Sequence, residues 1–125
     1  MVIKKSDLSK ILNNHLNIGE LKNIEILSRS NSGYVTKIKL FGKKQNIVIS
    51  KESVIRKIFF AEGLRSTAFL LEYNKNIDSY YFWGAGWGHG IGMCQDGSCG
   101  LAQRGENYIS IIKHYYPETD VLKIY

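Results

Sequence analysis

Apolar and polar positions near the start of the chain follow a helical pattern. Apolar residues recur every three to four positions at Leu8, Ile11, Leu12 and Leu16. Ser6 precedes this stripe and can cap a helix with its hydroxyl, and Gly19 follows it and can close the helix. The pattern therefore predicts an amphipathic helix from Ser6 to about Gly19.

The next part of the chain has the composition of strands. Asn23–Arg29 and Tyr34–Phe41 flank the turn-like sequence Ser30–Gly33, which predicts a hairpin. A second turn precedes Asn46–Ser50, a short third strand. Three sequential strands of this kind predict an antiparallel meander.

The remaining elements alternate without regular βαβ spacing. The pattern predicts a helix capped by Ser50 and ended by Gly63, strands at Thr67–Tyr73 and Asp78–Phe82, a helix between Asn107 and Pro117, and a closing strand at Val121–Tyr125. Antiparallel strands with a few helices predict an α+β fold. A length of 125 residues without a linker or repeat predicts one domain over residues 1–125.

Eight of the twelve glycines lie between Gly84 and Gly105. Five of them occupy every second position, at Gly84, Gly86, Gly88, Gly90 and Gly92. Such density weakens a regular helix or strand and is typical of backbone that takes positive φ angles or approaches another group closely. The segment predicts a glycine-rich loop, which either cradles a ligand or packs backbone against backbone. Its spacing does not match a nucleotide P-loop.

The glycine-rich loop also contains both cysteines of the chain. His89, Cys94 and Cys99 form the pattern H-x4-C-x4-C, and these side chains are ligands that zinc accepts. On a regular helix Cys94 and Cys99 would point apart, by about 140°. They converge only if the chain breaks between them, for which Gly97 is available. The spacing alone leaves three alternatives, namely a zinc site, two reduced thiols and a Cys94–Cys99 disulfide.

Charge and composition exclude some classes of function. The net charge of +6 comes from a basic half, because residues 1–57 carry twelve Lys/Arg against four Asp/Glu. The lysines are scattered and no nucleic-acid motif accompanies them, so a nucleic-acid partner is not expected. No apolar run approaches the roughly 20 residues of a membrane helix. The start MVIKKSDLSK lacks the apolar region of a secretory signal, so the sequence as it stands is expected in the cytoplasm.

Three segments of the sequence resemble one known family. GWGHGIGMCQDGSCGLAQRGENYISIIKHYYPETDVLKIY resembles the C-terminal signature of the SpoIID/LytB domain, named for stage II sporulation protein D. GLRSTAF at 63–69 and NSGYVTKIKLFG at 31–42 are similar to two further segments of that family. The resemblance covers most of the chain. It implies an extracytoplasmic, cell-wall-associated protein that acts on peptidoglycan glycan strands together with other wall or engulfment proteins.

The family resemblance implies lytic transglycosylase chemistry, in which one glutamate serves as general acid and base. That glutamate lies beside an EALKAQAVAARTY-like helix that this sequence does not contain. No catalytic residue is therefore predicted here, and the chain alone is expected to have little or no activity. The alternative that the resemblance leaves open is a non-catalytic module that binds glycan or a wall protein, as in amidase-enhancer relatives.

The resemblance also indicates the binding residues. Arg65, Ser66 and Gln95 are predicted to face the glycan, and Tyr81, Trp83 and Trp87 are candidates for stacking on sugar rings. Some members of the family are similar to this chain in binding zinc through one histidine and two cysteines. The resemblance thus favours a structural zinc ion at His89, Cys94 and Cys99.

Overall fold

The computed structural model describes residues 1–60, 62–88, 90 and 92–124. Within these residues the elements are β1 (Val2–Lys4), α1 (Lys5–Asn13), β2 (Leu21–Arg29), β3 (Val35–Gly42), β4 (Asn46–Ile49), α2 (Glu52–Ile58), β5 (Phe69–Asn74), β6 (Ser79–Gly84), α3 (Gln95–Gln103) and α4 (Tyr108–Tyr115). Two antiparallel sheets and four helices confirm the predicted α+β class. No helix among the described residues is long and apolar enough to span a membrane.

The chain divides into two compact units, Met1–His89 and Gly90–Tyr125. The first unit contains both sheets with α1 and α2, and the second contains α3 and α4. The prediction that residues 1–125 form one domain stays a prediction.

The first sheet is the predicted meander, in the order β2-β3-β4. The second has the order β1-β6-β5, so that the first strand of the chain pairs with the last strand of the unit. Val2–Lys4 is too short to give a periodic signal, so the sequence pattern does not predict this strand. It is a strand because Val2 pairs with Tyr81 and the N-terminal amine donates to the carbonyl of Phe82 at 2.7 Å.

One apolar core joins both sheets and both helices of the first unit. Its fully buried side chains include Leu8 of α1, Val35 and Ile38 of β3, Ile55 of α2 and Phe59, which follows α2. In the sheet β1-β6-β5, the rings of Phe69 and Phe82 face this core, while Leu70 and Trp83 on the adjacent positions are exposed. Alternation along a strand thus separates a core face from an open face.

Several predicted element boundaries are wrong. Helix α1 begins at Lys5 without a side-chain cap and ends at Asn13, so Ser6 lies inside it and Gly19 follows a loop. The N-cap position of helix α2 is occupied by Lys51 and not by Ser50. No side chain makes a capping hydrogen bond at this end of the helix. The described residues after Pro117 form no strand.

The second unit contains a helix that the sequence analysis placed in a loop. Helix α3 spans Gln95–Gln103 and includes Gly97 and Gly100. The sulfur of Cys94 caps it, because it accepts the backbone N–H of Gly97 at 3.4 Å. The predicted α4 is confirmed, with the Asn107 carboxamide oxygen accepting the N–H of Ser110 at 3.0 Å.

Tyr115 and Tyr116 of the HYYP segment lie against the chain before and within α3. A methyl group added at Gly97 would clash with the hydroxyl of Tyr115, so glycine leaves room for α4 beside α3. The hydroxyl of Tyr116 accepts the backbone N–H of Met93 at 3.1 Å. Both phenols therefore hold the segment before and within α3 against α4.

Candidate functional site

The start of the glycine-rich segment lies beside the GLRSTAF segment in the first unit. The N–H of Gly88 donates to the carbonyl of Arg65 at 2.9 Å, and the N–H of Ala85 donates to the carbonyl of Ala68 at 3.1 Å. Ser66 and Gly88 form an isolated parallel bridge. These bonds place two segments together that are about twenty residues apart in the chain.

Glycine is required in this arrangement for two reasons. At Gly84 an added Cβ would lie 3.2 Å from the carbonyl oxygen of Ala68 and 3.3 Å from the Cβ of Phe69, so a side chain there would require these neighbours to shift by a few tenths of an ångström. At Gly88 the space is open, but φ is +81°, a conformation that other residues adopt with strain. Close approach and positive φ, the two uses predicted for the segment, thus both occur.

This backbone pairing brings Arg65 and Trp87 into contact. The guanidinium carbon of Arg65 lies 4.3 Å from the centroid of the Trp87 ring, within the range of a cation–π interaction. The Trp87 side chain is 74% exposed, so the indole is held by Arg65 and remains accessible to a ligand. Neither residue contributes to the apolar core.

Arg65 and Trp87 border the larger cleft of the unit, of about 830 Å³. This volume lies within the range of roughly 300–1,000 Å³ that is typical of small-molecule sites. The inner wall is apolar, with Leu64, Phe69 and Phe82. The rest of the lining comprises Met1, Phe60, Glu62, Gly63, Arg65, Ser66, Trp83, Gly84, Ala85, Gly86 and Trp87.

Trp83 also borders the cleft, and its side chain lies on the face of β6 opposite to Phe82. Its ring is 49% exposed and stacks on Tyr81, with 5.3 Å between the centroids and 15° between the planes. The stack fixes the orientation of the indole from one side. Both tryptophans of the chain are among the residues that line the cleft, and their stacking on sugar rings stays a prediction.

A second cavity, of about 390 Å³, lies beside α1 and has a different character. Its lining is mostly polar and contains no aromatic side chain; it comprises Lys5, Ser6, Ser9, Lys10, Asn13, Gly19, Glu20, Leu21 and Asp78. Ser9 and Asn13 in this lining bond the backbone of Gly19 and Leu21, so they hold the loop after α1. We therefore take the aromatic cleft as the candidate site.

Ser66 and Thr67 shape the turn that carries Arg65. Ser66 is 7% exposed, and its hydroxyl accepts the N–H of Ala68 at 3.0 Å. Its role is thus at least partly to hold the turn, and its contact with a glycan stays a prediction. Thr67 is fully buried, and within the described residues its hydroxyl has no hydrogen-bond partner.

Two tyrosines of the first unit have perturbed pKa values. Burial is the main cause that raises the pKa of Tyr80 to about 12, and the nearby Tyr73 adds to it. The hydrogen bond to Asp78 raises the pKa of Tyr73. Both phenols lie outside the cleft lining, so these shifts concern stability and not the candidate site.

The remaining predicted site residues belong to the second unit or lie outside the described residues. Gln95 is the first residue of α3 and is exposed. His89 lies outside the described residues, so the zinc prediction is not tested. Cys94 and Cys99 are exposed free thiols, and no group of three possible ligands occurs among the residues that the structure describes.

The conformation of α3 bears on how zinc could bind. The helix continues through Gly97, so the expected chain break between the cysteines is absent. Cys94 precedes this helix as its N-cap, with extended backbone at φ −77° and ψ 122°, while Cys99 lies within the helix. Joint ligation of zinc by the two cysteines stays a prediction.

Comparison with known proteins places the chain in a family. A family profile described as domain of unknown function DUF8618 matches residues 2–92. The chain belongs to this family. The matched range includes all the residues that line the cleft except Met1.

Three curated proteins are similar in sequence to this chain. It is 40% identical over 67 residues to the Amidase enhancer of Bacillus subtilis (strain 168), which is 54% of this chain and 9% of that protein. It is 39% identical over 59 residues to Stage II sporulation protein D of Bacillus amyloliquefaciens, which is 47% of this chain and 17% of that protein. It is 32% identical over 117 residues to an uncharacterized protein of Brachyspira hyodysenteriae, covering 87% of this chain and 32% of that protein.

These similarities confirm the resemblance seen in the sequence for about half of the chain. Proteins named stage II sporulation protein D and amidase enhancer are similar to about half of the chain. The chain spans only 9%, 17% and 32% of the three relatives' own lengths.

Sequence reasoning missed part of the candidate site. Phe60 and Glu62 line the cleft, but no motif or periodicity singled them out, and Leu64 was not named as a site residue although it lies in the GLRSTAF segment. Their proximity to Arg65 in the chain was the available signal. The contact between Arg65 and Trp87 was not predictable in the same way, since it depends on the pairing of two distant segments.

Proposed function

We propose that this chain is a glycan-binding part of a cell-wall protein related to stage II sporulation protein D. The observation that carries the proposal is the cleft in which the exposed indole of Trp87 and the guanidinium of Arg65 lie beside an apolar wall, with the exposed Trp83 at its border. Sugar rings present apolar C–H faces that pack on indoles, while their hydroxyl and acetamido groups need hydrogen-bond donors and acceptors. Peptidoglycan glycan strands have both features.

The relatives' names support a role in the cell wall during sporulation or wall remodelling. A protein with that role works outside the cytoplasm, at the wall, and meets other wall proteins there. The family resemblance adds Gln95 to the proposed glycan contacts. Zinc at His89, Cys94 and Cys99 remains a further proposal, and it concerns the order of the glycine-rich segment rather than the chemistry.

We propose binding without cleavage for these 125 residues. A carboxyl that protonates a glycosidic oxygen needs an environment that keeps it protonated near neutral pH. Glu62 is the one carboxylate among the described residues that line the cleft, and it is exposed to solvent. The cleft thus offers surfaces that hold a glycan. Among the described residues that line it, no carboxyl group is buried.

The test is binding to purified glycan strands without their peptides, measured by co-sedimentation, together with an assay for anhydro-sugar release. We expect saturable binding and no anhydro product. The Trp87→Ala variant is expected to bind at least about fivefold more weakly, corresponding to about 1 kcal/mol of lost stacking.

The matched control for Trp87→Ala is Phe41→Ala. The ammonium of Lys39 lies 4.8 Å from the centroid of the Phe41 ring, so Lys39 and Phe41 form a cation–π pair like that of Arg65 and Trp87. Both residues belong to the sheet β2-β3-β4 and lie outside the cleft lining. Phe41→Ala is expected to leave glycan binding unchanged. Absence of binding by the wild-type chain, or equal loss in both variants, would refute the proposal. Release of anhydro-sugars would overturn its non-catalytic part.

A further inference from the structure

The sheet β2-β3-β4 concentrates the positive charge of the first unit. Residues 21–49, which form this sheet and its two turns, carry six Lys/Arg and one Asp/Glu. Residues 69–84, which form β5, β6 and their turn, carry one Lys/Arg and two Asp/Glu. The cleft is lined by residues of the second group, and none of the residues 21–49, all of which the structure describes, belongs to its lining. The basic charge and the cleft therefore belong to different sheets.

No described carboxylate forms an ion pair with a cation of this sheet. The six cations are Lys22, Arg29, Lys37, Lys39, Lys43 and Lys44. The ion pairs of the described residues lie within α1, within α2 and in the second unit. Glu25 is the cross-strand partner of Lys39, yet the Lys39 ammonium lies beside the ring of Phe41, at 4.8 Å from its centroid. The charge of the sheet is thus available to a partner.

Strand β3 presents part of this charge on one face. Ile38 and Leu40 are fully buried, so the alternate positions Lys37, Lys39 and Phe41 lie on the outer face of the sheet. The Lys37 side chain is exposed and that of Lys39 is partly exposed. The Cα atoms of these two lysines are about 7 Å apart along the strand. Both can therefore contact one ligand that lies along the outer face.

The cations extend over a distance that one small anion cannot cover. Arg29 lies at the end of the sheet beside the β2–β3 turn, and Lys43 and Lys44 lie in the β3–β4 turn at the opposite end. The eight residues of β3, which run between these two ends, correspond to about 25 Å. An extended chain with repeated negative charges covers that distance and contacts several cations at once.

The side chains of the sheet favour a phosphodiester polymer over a nucleic acid or a membrane. Five of the six cations are lysines, which bind phosphate as flexible point charges. Phe41 is the one aromatic residue in these three fully described strands, so successive bases have no row of rings to stack on. The exposed large apolar side chains of the strands are those of Leu27 and Val48, which are too few to enter a lipid surface.

We propose that the sheet β2-β3-β4 is a docking surface for a linear polyol phosphate, a phosphodiester polymer of the kind that bacterial cell walls contain. The surface attaches the protein to the wall by charge, while the cleft of the other sheet holds a glycan. The choice of a wall polymer rests on the proposed cell-wall function. The docking surface itself is independent of the cleft, so each can fail its test while the other passes.

The experiment measures binding of the 125-residue chain to lipid-free polyglycerol phosphate by isothermal titration calorimetry. We expect saturable binding at about 50 mM salt that weakens at least about tenfold at about 200 mM, because each contact between a lysine and a phosphate releases a counterion. Neutral dextran of similar size is expected not to bind. Single-stranded DNA and vesicles with anionic lipid represent the two other classes of partner, and both are expected to bind more weakly than the polymer.

A double variant, Lys37→Gln with Lys39→Gln, tests the outer face of β3. It is expected to bind the polymer about fivefold to tenfold more weakly, because two contacts with phosphate are lost. The matched control is Lys4→Gln with Lys75→Gln, which removes two charges from the other sheet and its turn and is expected to bind as the wild type does. Trp87→Ala is also expected to leave polymer binding unchanged, and circular dichroism verifies the fold of each variant.

Three results would overturn the inference. Absence of polymer binding at the lower salt concentration removes the docking surface and leaves glycan binding by the cleft to its own test. Equal loss of affinity in the two double variants means that net charge, and not this sheet, attracts the polymer. Tighter binding to single-stranded DNA or to anionic vesicles than to the polymer means that the partner belongs to another class.

Discussion

Phe82 and Trp83 are neighbours on β6 whose side chains lie on opposite faces of the sheet. Phe82 is 5% exposed and its ring lies 5.3 Å from the Phe59 centroid and 5.5 Å from those of Phe60 and Phe69. Trp83 is 49% exposed. Replacing each by alanine should therefore have different effects, although tryptophan is the larger residue.

The magnitudes follow from burial. Removing a buried phenylalanine ring costs about 3–5 kcal/mol of unfolding free energy, and three aromatic contacts place Phe82→Ala in the upper part of that range. Trp83→Ala loses its stacking on Tyr81 and part of its half-exposed area, for about 1.5 kcal/mol at most. Since a small domain is stable by about 5–15 kcal/mol, the first change is severe and the second is tolerable.

Urea denaturation followed by far-ultraviolet circular dichroism measures both values. If Phe82→Ala does not fold, Phe82→Leu keeps the comparison possible, with an expected cost of about 1–1.5 kcal/mol. Trp83→Ala should instead weaken glycan binding while it remains folded. Comparable destabilisation by Phe82→Ala and Trp83→Ala, or a larger effect of Trp83→Ala, would refute the assignment of core face and open face.

Three further predictions concern other parts of the chain. Gly97→Ala should destabilise α3 against α4 although alanine favours helices by about 1 kcal/mol, and the added Tyr115→Phe change should restore the loss measured by thermal denaturation. If Gly97→Ala alone is stabilising, the close contact with the Tyr115 hydroxyl is incorrect. Because the pKa of Tyr80 is raised from 10.0 to about 12, its contribution to stability is complete below pH 10 and is lost as the pH rises to 12. Tyr80→Phe should remove this part of the alkaline decline in unfolding free energy, and an identical decline in both proteins would contradict it. Zinc binding by His89, Cys94 and Cys99 should be abolished by Cys99→Ser; less than about a tenth of an equivalent of zinc by metal analysis would remove the zinc prediction.

Local patterns in the sequence were sufficient for many elements of the fold. Alternation and turn residues predicted β2, β3 and β4 as a meander, and Asn107 predicted the start of α4. These features depend on residues within a few positions of one another, so the sequence contains the relevant information locally. The positive φ angles at Gly86 and Gly88 were also predictable, because glycine tolerates them at little cost.

Other features depend on partners that are distant in the chain. Val2–Lys4 becomes a strand by pairing with β6, and α3 forms despite Gly97 because Cys94 caps it and Tyr115 fills the space over that glycine. Local propensity opposes both outcomes, and tertiary contacts supply the free energy that reverses it.

The sequence by itself determined the candidates for a site, namely Arg65, Ser66 and Gln95 for a glycan and His89, Cys94 and Cys99 for zinc. Tertiary structure alone decided that Arg65 contacts Trp87 and that both share a cleft with Trp83. The reason is physical: the bond from Gly88 to Arg65 closes a long loop, and no local preference of either residue encodes that contact.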